Sequence, residues 1–500
     1  MPGASSFVRP LVFVSIALAG PLAEVFAFGQ ASKPLPAAKL EALEAAARGK
    51  AAAELLVLAK FAESLKAVPE ARATCSAAYV LTPRDDKART EAEKLLKLKG
   101  ERAKDAEKQF ADHKAKAYAK CVEILTPVFA AYADADRSDE LARLLSLLQD
   151  LGMPVEPLVK KHDFVFYAPY SDWRRKKDVE RFTAGGEVLD GVWYDAKKVA
   201  ELDAKHTDWS GPWQFGEEIH EIKTTLPLTT ARRILATVAS YRTFVLCYLG
   251  LDADLRQPAV KLPLIVTATR KEMEERAQSY PGGGGALPEG GAAFYQGGSQ
   301  AGGPCFVTFE LKFQGGELRK VDWTGLRGGL LHEVAHQILY EYSRHALGQH
   351  PVRPTGDLNW VAEGAAEFLP CFEPDDGTWV LHRRDAIPQG GSGYIESGFG
   401  WCHDQADQLP SLVQFVTYGK AQMADARNYH VACVLAGFLL EAKERAYRTR
   451  FCKLIDLEHQ YHADSDAFAA CFPGVDVAAL DADFRAWCKE QPIEKVARKK

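Results

Sequence analysis

The sequence predicts an α+β protein: a small mixed sheet packed on one long helix, a mostly helical C-terminal part, and an all-helical hairpin domain in front. Three observations carry this. Residues 33–158 are dominated by Ala, Leu, Glu and Lys with little Gly. Residues 216–311 alternate short β-rich runs with helical ones, and the remainder of the chain has helical periodicity almost throughout. At 500 residues, 47% hydrophobic and 26% charged, the chain suffices for two or three such units, and its composition excludes wholesale disorder and many membrane spans.

Residues 1–27 read as an export signal. Arg9 supplies a positive n-region, Leu11 to Ala19 an apolar run fenced by Pro10 and Pro21, and Val25-Phe26-Ala27 the residues for cleavage after Ala27. The run falls well short of the ~20 residues a membrane helix needs. No cysteine lies nearby, so a lipid anchor is not expected. The mature protein is therefore expected in the periplasm or outside the cell. A net charge of −5 gives no reason to expect nucleic acid, and residues 491–500 read as a solvated basic tail.

The helical domain spans residues 33–158. Two stretches resemble each other there, A-T-C-S-A-A-Y-V-L-T-P and A-K-C-V-E-I-L-T-P, each followed by a new run of helix formers. Leu-Thr-Pro at 81–83 and 125–127 is thus expected to punctuate helical hairpins, as in tetratricopeptide-like repeats. The charged run from Arg84 to Lys120 reads as a solvated helix face. Residues 160–215 form a small linker module, with a strand at Phe164–Tyr167 and a turn and strand in G-G-E-V-L-D-G-V-W-Y.

Residues 216–490 make the main domain. Strands are expected at Glu218–Thr224, Leu262–Ala268, Ala292–Gln296 and Cys305–Leu311, and helices at Thr229–Leu249 and Arg270–Ser279. Gly282–Gly303 is glycine-rich, but no Gly-Lys-Ser/Thr follows and no helix opens at its end. It reads as a mobile loop and a candidate lid rather than a phosphate loop. Ten cysteines include no C-x-x-C pair. Export permits disulfides, with Cys75–Cys121 a candidate between neighbouring helices, while Cys433 on an apolar face reads as a buried thiol.

The chemistry centres on H-E-V-A-H in a helix expected over Leu326–Tyr342. Leu331, Ala335, Ile338 and Tyr342 form its apolar stripe. His332 and His336, one turn apart, project side by side and can grip one Zn²⁺ at ~2.0–2.1 Å. Glu333 sits about 100° around the helix, where a carboxylate can take a proton from metal-bound water. A second helix, N-W-V-A-E-G-A-A-E-F, is expected to be capped by Asn359 and ended by Pro370, presenting Glu363 27 positions after His336. Gly364 would let the two helices approach closely.

H-E-V-A-H followed by W-V-A-E-G-A-A-E-F resembles the gluzincin metallopeptidase pattern, H-E-x-x-H and later W-x-x-E-G-x-A. The similarity extends over residues 215–490 to exported bacterial gluzincin-like proteins, through I-K-T-T-L-P, A-A-F-Y, L-P-S-L and F-P-G-V-D-V-A-A-L-D-A-D-F-R-A-W. It implies that His332, His336 and Glu363 bind one zinc, that water completes the tetrahedron, and that Glu333 is the general base. The interval from His336 to Glu363 exceeds that of the aminopeptidase branch, and no G-A-M-E-N-type segment is present. Endopeptidase action is the better default.

The resemblance also suggests Glu367, one turn after Glu363, as the acid orienting a ligand histidine; a plain surface glutamate is the alternative. An oxyanion donor is expected as well, with Tyr429 and His430 as candidates. His403, His459 and His462 lack ligand spacing and are expected at the surface. The leading expectation is an exported zinc metallopeptidase acting on a peptide or protein, with a protein partner conceivable at the helical domain. A helical scaffold with an inactive metal site, and a zinc hydrolase of a non-peptide bond, are the alternatives. Glu333 argues against the first, since a purely structural site needs no base.

Overall fold

Regularly spaced small and apolar residues make the front of the molecule. On α1 (Ala37–Ser64), Leu40, Ala47, Ala51, Leu55, Leu58 and Ala62 form a buried stripe that packs on α2 (Val68–Leu81) and α3 (Ala106–Asp134). Alanines on this seam let the helix backbones come close. In α4 (Ser138–Asp150), Leu141, Leu144, Leu145 and Leu148 recur at helical spacing and close the same core. The computed structural model describes residues 35–82, 90 and 106–495, except 218, 250–259, 281–291, 297–301, 313–315, 348–356, 376–377, 384–397 and 461–462. The export signal, most of the glycine-rich loop, His462 and the last five residues of the basic tail lie outside the described residues.

Two expectations fail here. Leu-Thr-Pro at 125–127 does not end a helix, because Pro127 lies inside α3. Proline costs the helix one N–H bond and crowds the preceding turn. Leu125, Val128, Phe129 and Tyr132 are all buried on either side of it, so tertiary packing holds both halves in line. The Cys75–Cys121 bridge is not formed either: the buried Cys121 thiol donates to the Ala51 carbonyl at 3.4 Å.

The linker region carries two antiparallel hairpins, β1 (Phe164–Tyr167) with β2 (Asp172–Arg175) and β3 (Glu187–Leu189) with β4 (Val192–Tyr194). A buried ionic network fastens it on both sides. Arg174 pairs with Asp172 and with Asp139 of α4, both at 2.6 Å, and Asp139 also takes Arg232 from α5 (Leu228–Leu249). Arg174 and Asp172 are buried and Asp139 and Arg232 only part-exposed, so the charges depend on one another for compensation.

A five-stranded mixed sheet comes next in the chain. It is ordered β5 (Trp213–Gly216), β6 (His220–Thr224), β7 (Leu262–Thr267), β9 (Cys305–Thr308), β8 (Ala293–Tyr295). The β6–β7 and β7–β9 pairs are parallel; both edges are antiparallel. Period-two alternation sorts the faces. Ile222, Leu264, Val266, Cys305 and Val307 face α5 and α7 (Trp323–Leu347), while Ile265 and Phe306 pack on Met273 and Ala277 of α6 (Arg270–Ser279). The C-terminal part is mostly helical, as expected. Among the described residues no helix is long and apolar enough to cross a membrane.

Candidate metal centre

The centre is built by two helices crossing over one core. On α7 the expected stripe Leu331, Ala335, Ile338 and Tyr342 is buried, which fixes the helix roll and turns His332 and His336 toward Glu363, and Glu333 toward Tyr295. α8 (Asn359–Phe368) is buried along its whole length except at Glu363. The surrounding packing therefore leaves it one reactive residue to present. Trp360 locks it: its indole N–H donates to the Val416 carbonyl at 3.0 Å, and its ring stacks on Phe451.

Asn359 is not the cap. It is the first helical residue, preceded by Leu358, whose N–H is accepted at 3.1 Å by the buried carboxylate of Glu458. Asn359 is freed for another task and donates to Glu363 Oε1 at 3.1 Å, leaving Glu363 Oε2 turned to the histidines. Gly364 also acts differently from the expectation. A Cβ there would lie 2.6 Å from the Ala432 carbonyl oxygen, so it makes room for α9 (Ala426–Arg445) rather than for α7. We expect Gly364→Ala to lower stability by about 1–3 kcal/mol through overpacking, of which better helix propensity offsets at most about 1 kcal/mol. A fall in the urea midpoint at unchanged slope checks this.

His332 Nε2 and His336 Nε2 are 3.1 Å apart, and Glu363 Oε2 lies 3.5 and 3.4 Å from them. A tetrahedral ion with bonds of ~2.0–2.1 Å separates its ligand atoms by about 3.4 Å. The triangle fits. His332, His336 and Glu363 form a group that can hold one metal ion.

The charges ask for one too. Burial disfavours a charged imidazole at His332, yet Glu367, Glu363 and Glu333 raise its pKa to about 10. Burial raises Glu367 to about 8 despite the pull of His332, and Glu363 is held low, against burial, by His336 and His332. Three carboxylates crowd two imidazoles in a low-dielectric site, and a cation at the triangle meets that demand.

The other residues singled out from sequence divide. Glu333 is half-buried, and its Oε2 accepts the Tyr295 N–H at 2.7 Å. Glu367 is buried, with Oε1 3.4 Å from His332 Nδ1, so it is not the surface glutamate of the alternative. Tyr429 on α9 senses Glu363, Glu367 and Glu333, whose charges add to burial in raising its phenol pKa. His430, one residue on, is turned instead toward Gly398 and the Trp401 ring.

His459 corrects the sequence reading outright. It ends α10 (Arg448–His459), is buried, and feels the charges of His336 and Glu363; burial lowers its pKa to about 4. Its spacing from Phe451 and Ile455, both on the buried face, is the signal that places it inside. His403 remains partly exposed as expected. No protein-family profile and no curated protein sequence matches the chain.

Proposed function

We propose that the chain is an exported zinc-dependent peptide hydrolase with endopeptidase-like action. The observation that supports this most is a half-buried carboxylate, Glu333, next in sequence to a ligand of a metal-sized His/His/Glu triangle. His332, His336 and Glu363 hold the ion, which when bound supplies an acidified water and a positive charge for the scissile carbonyl oxygen. Glu333 accepts the proton of the attacking water and returns it to the leaving amine, serving as base and then acid. Tyr429, a phenol protonated at neutral pH and lying within the field of Glu363, Glu367 and Glu333, donates a hydrogen bond to the tetrahedral oxyanion. Glu367 Oε1, 3.4 Å from His332 Nδ1, is placed to favour the tautomer that leaves Nε2 free for the ion.

The direct test is digestion of a broad peptide library by purified protein, with and without a chelator. Internal cleavage that stops on chelation and returns with zinc is the expected result. Cleavage that survives complete metal removal overturns the reading. No cleavage in any condition favours a helical scaffold with an inactive metal site.

A further inference from the structure

The hydrolytic reading uses only the first of a row of polar residues on the metal helix. Glu333, Gln337 and Glu341 stand at i, i+4 and i+8 on α7, one above the other. Gln337 and Glu341 are completely buried. All three hold the same piece of chain, the β8–β9 hairpin. Glu341 Oε1 accepts the Tyr295 hydroxyl at 3.2 Å and the Gly303 N–H at 3.0 Å. Gln337 Nε2 donates to the Gly303 carbonyl at 2.8 Å and to the Pro263 carbonyl at 3.1 Å. Tyr295 N–H in turn donates to Glu333 at 2.7 Å.

Gly303 cannot be replaced without moving Tyr295. A Cβ there would lie 2.6 Å from the Gln296 carbonyl oxygen and 2.9 Å from the Tyr295 ring and hydroxyl. The end of edge strand β8 is therefore clamped onto α7 by side chain and backbone together, and the clamped residue is the one that grips the base. A buried carboxylate is costly unless its bonds are made, so Glu341 has a strong preference for this one arrangement.

We propose that Glu341 is a positioning residue for Glu333: by holding Tyr295 and Gly303 it fixes the backbone amide that orients the Glu333 carboxylate. The proposal rests on the hydrolytic reading for its consequence on rate, though not for its contact geometry. Displacing a reacting group by about 1 Å costs as much as 10²-fold in rate, so an unclamped amide is felt in turnover rather than in metal binding.

The test uses the full mature chain loaded with zinc and three variants, Glu341→Leu, Glu341→Gln and Tyr295→Phe. Glu341→Leu removes the acceptor. Tyr295→Phe removes one donor and carries the test if the leucine variant does not fold. Glu341→Gln keeps an oxygen that accepts both bonds and serves as the rescue. We expect the first and third changes to speed hydrogen exchange at the Tyr295 amide about tenfold or more. They should also lower kcat about tenfold with KM moved by no more than a few-fold, at full zinc content. Glu341→Gln should restore both. Unchanged exchange in the leucine and phenylalanine variants overturns the clamp. Faster exchange with unchanged kcat overturns its role in placing the base. If the parent cleaves no peptide the hydrolytic reading fails separately, and exchange alone still decides for or against the clamp.

Discussion

Glu333→Gln leaves folding and zinc content as in the parent and lowers peptide hydrolysis by at least ~10², the scale of a lost general acid–base. The substitution is close to isosteric, and an amide oxygen still accepts the Tyr295 N–H that the carboxylate accepts now. What disappears is proton affinity. A glutamine cannot take the proton from the attacking water, nor hand it to the leaving amine. None of the three ligand atoms of the triangle belongs to Glu333, so the variant separates chemistry from metal binding. Steady-state rates on a cleaved peptide, with elemental analysis of the same samples, check it. Activity within a few-fold of the parent removes Glu333 from the mechanism.

The second large effect is on the metal itself. His336→Ala and Glu363→Ala should each take bound zinc from about one per chain, as a three-residue site implies, to nearly none after dialysis. Each removes one corner of a triangle whose sides are 3.1 to 3.5 Å, leaving two protein donors where a stable site needs three. Glu363→Ala also takes away the only carboxylate among the three, and with it the charge that draws the ion in. Elemental analysis of the dialysed proteins decides; full zinc in both variants overturns the ligand assignment.

What could be read from sequence is what is local. The i, i+4 histidines, the stripe through Leu331 and Ile338, and the helix 270–279 depend on periodicity within a few turns, and the structure carries them as expected. The α+β plan came from the same patterns. The failures are long-range. Asn359 looks like a cap because the carboxylate that fixes the residue before the helix, Glu458 on Leu358, is 100 residues away. Pro127 looks like a stop because the packing that overrides it comes from other helices. Gly364 promises close helix contact but does not say with which helix. The clamp around Glu341 was invisible for the same reason: Glu341 and Gly303 meet only when sheet and helix are assembled. His459 is different, since its apolar spacing was present in the sequence.

Asp139 bears on whether the front of this protein is detachable. It belongs to the helical segment, yet the guanidiniums it neutralises lie further along the chain, one in the linker and one in α5. A chain begun after residue 158 would keep Asp172 for Arg174, but Arg232 would be left with Glu187 at 3.9 Å as its ion-pair partner. Asp139 and Arg232 keep some contact with water even here, and a shortened chain would expose the guanidiniums further. The loss is therefore smaller than the ~3–5 kcal/mol of a fully buried charge left unpaired, but it falls on the contact that ties the two segments together. The helical segment thus supplies one acid that two later guanidiniums share. Recombination that traded that segment for another module would have to bring an acid to the same spot.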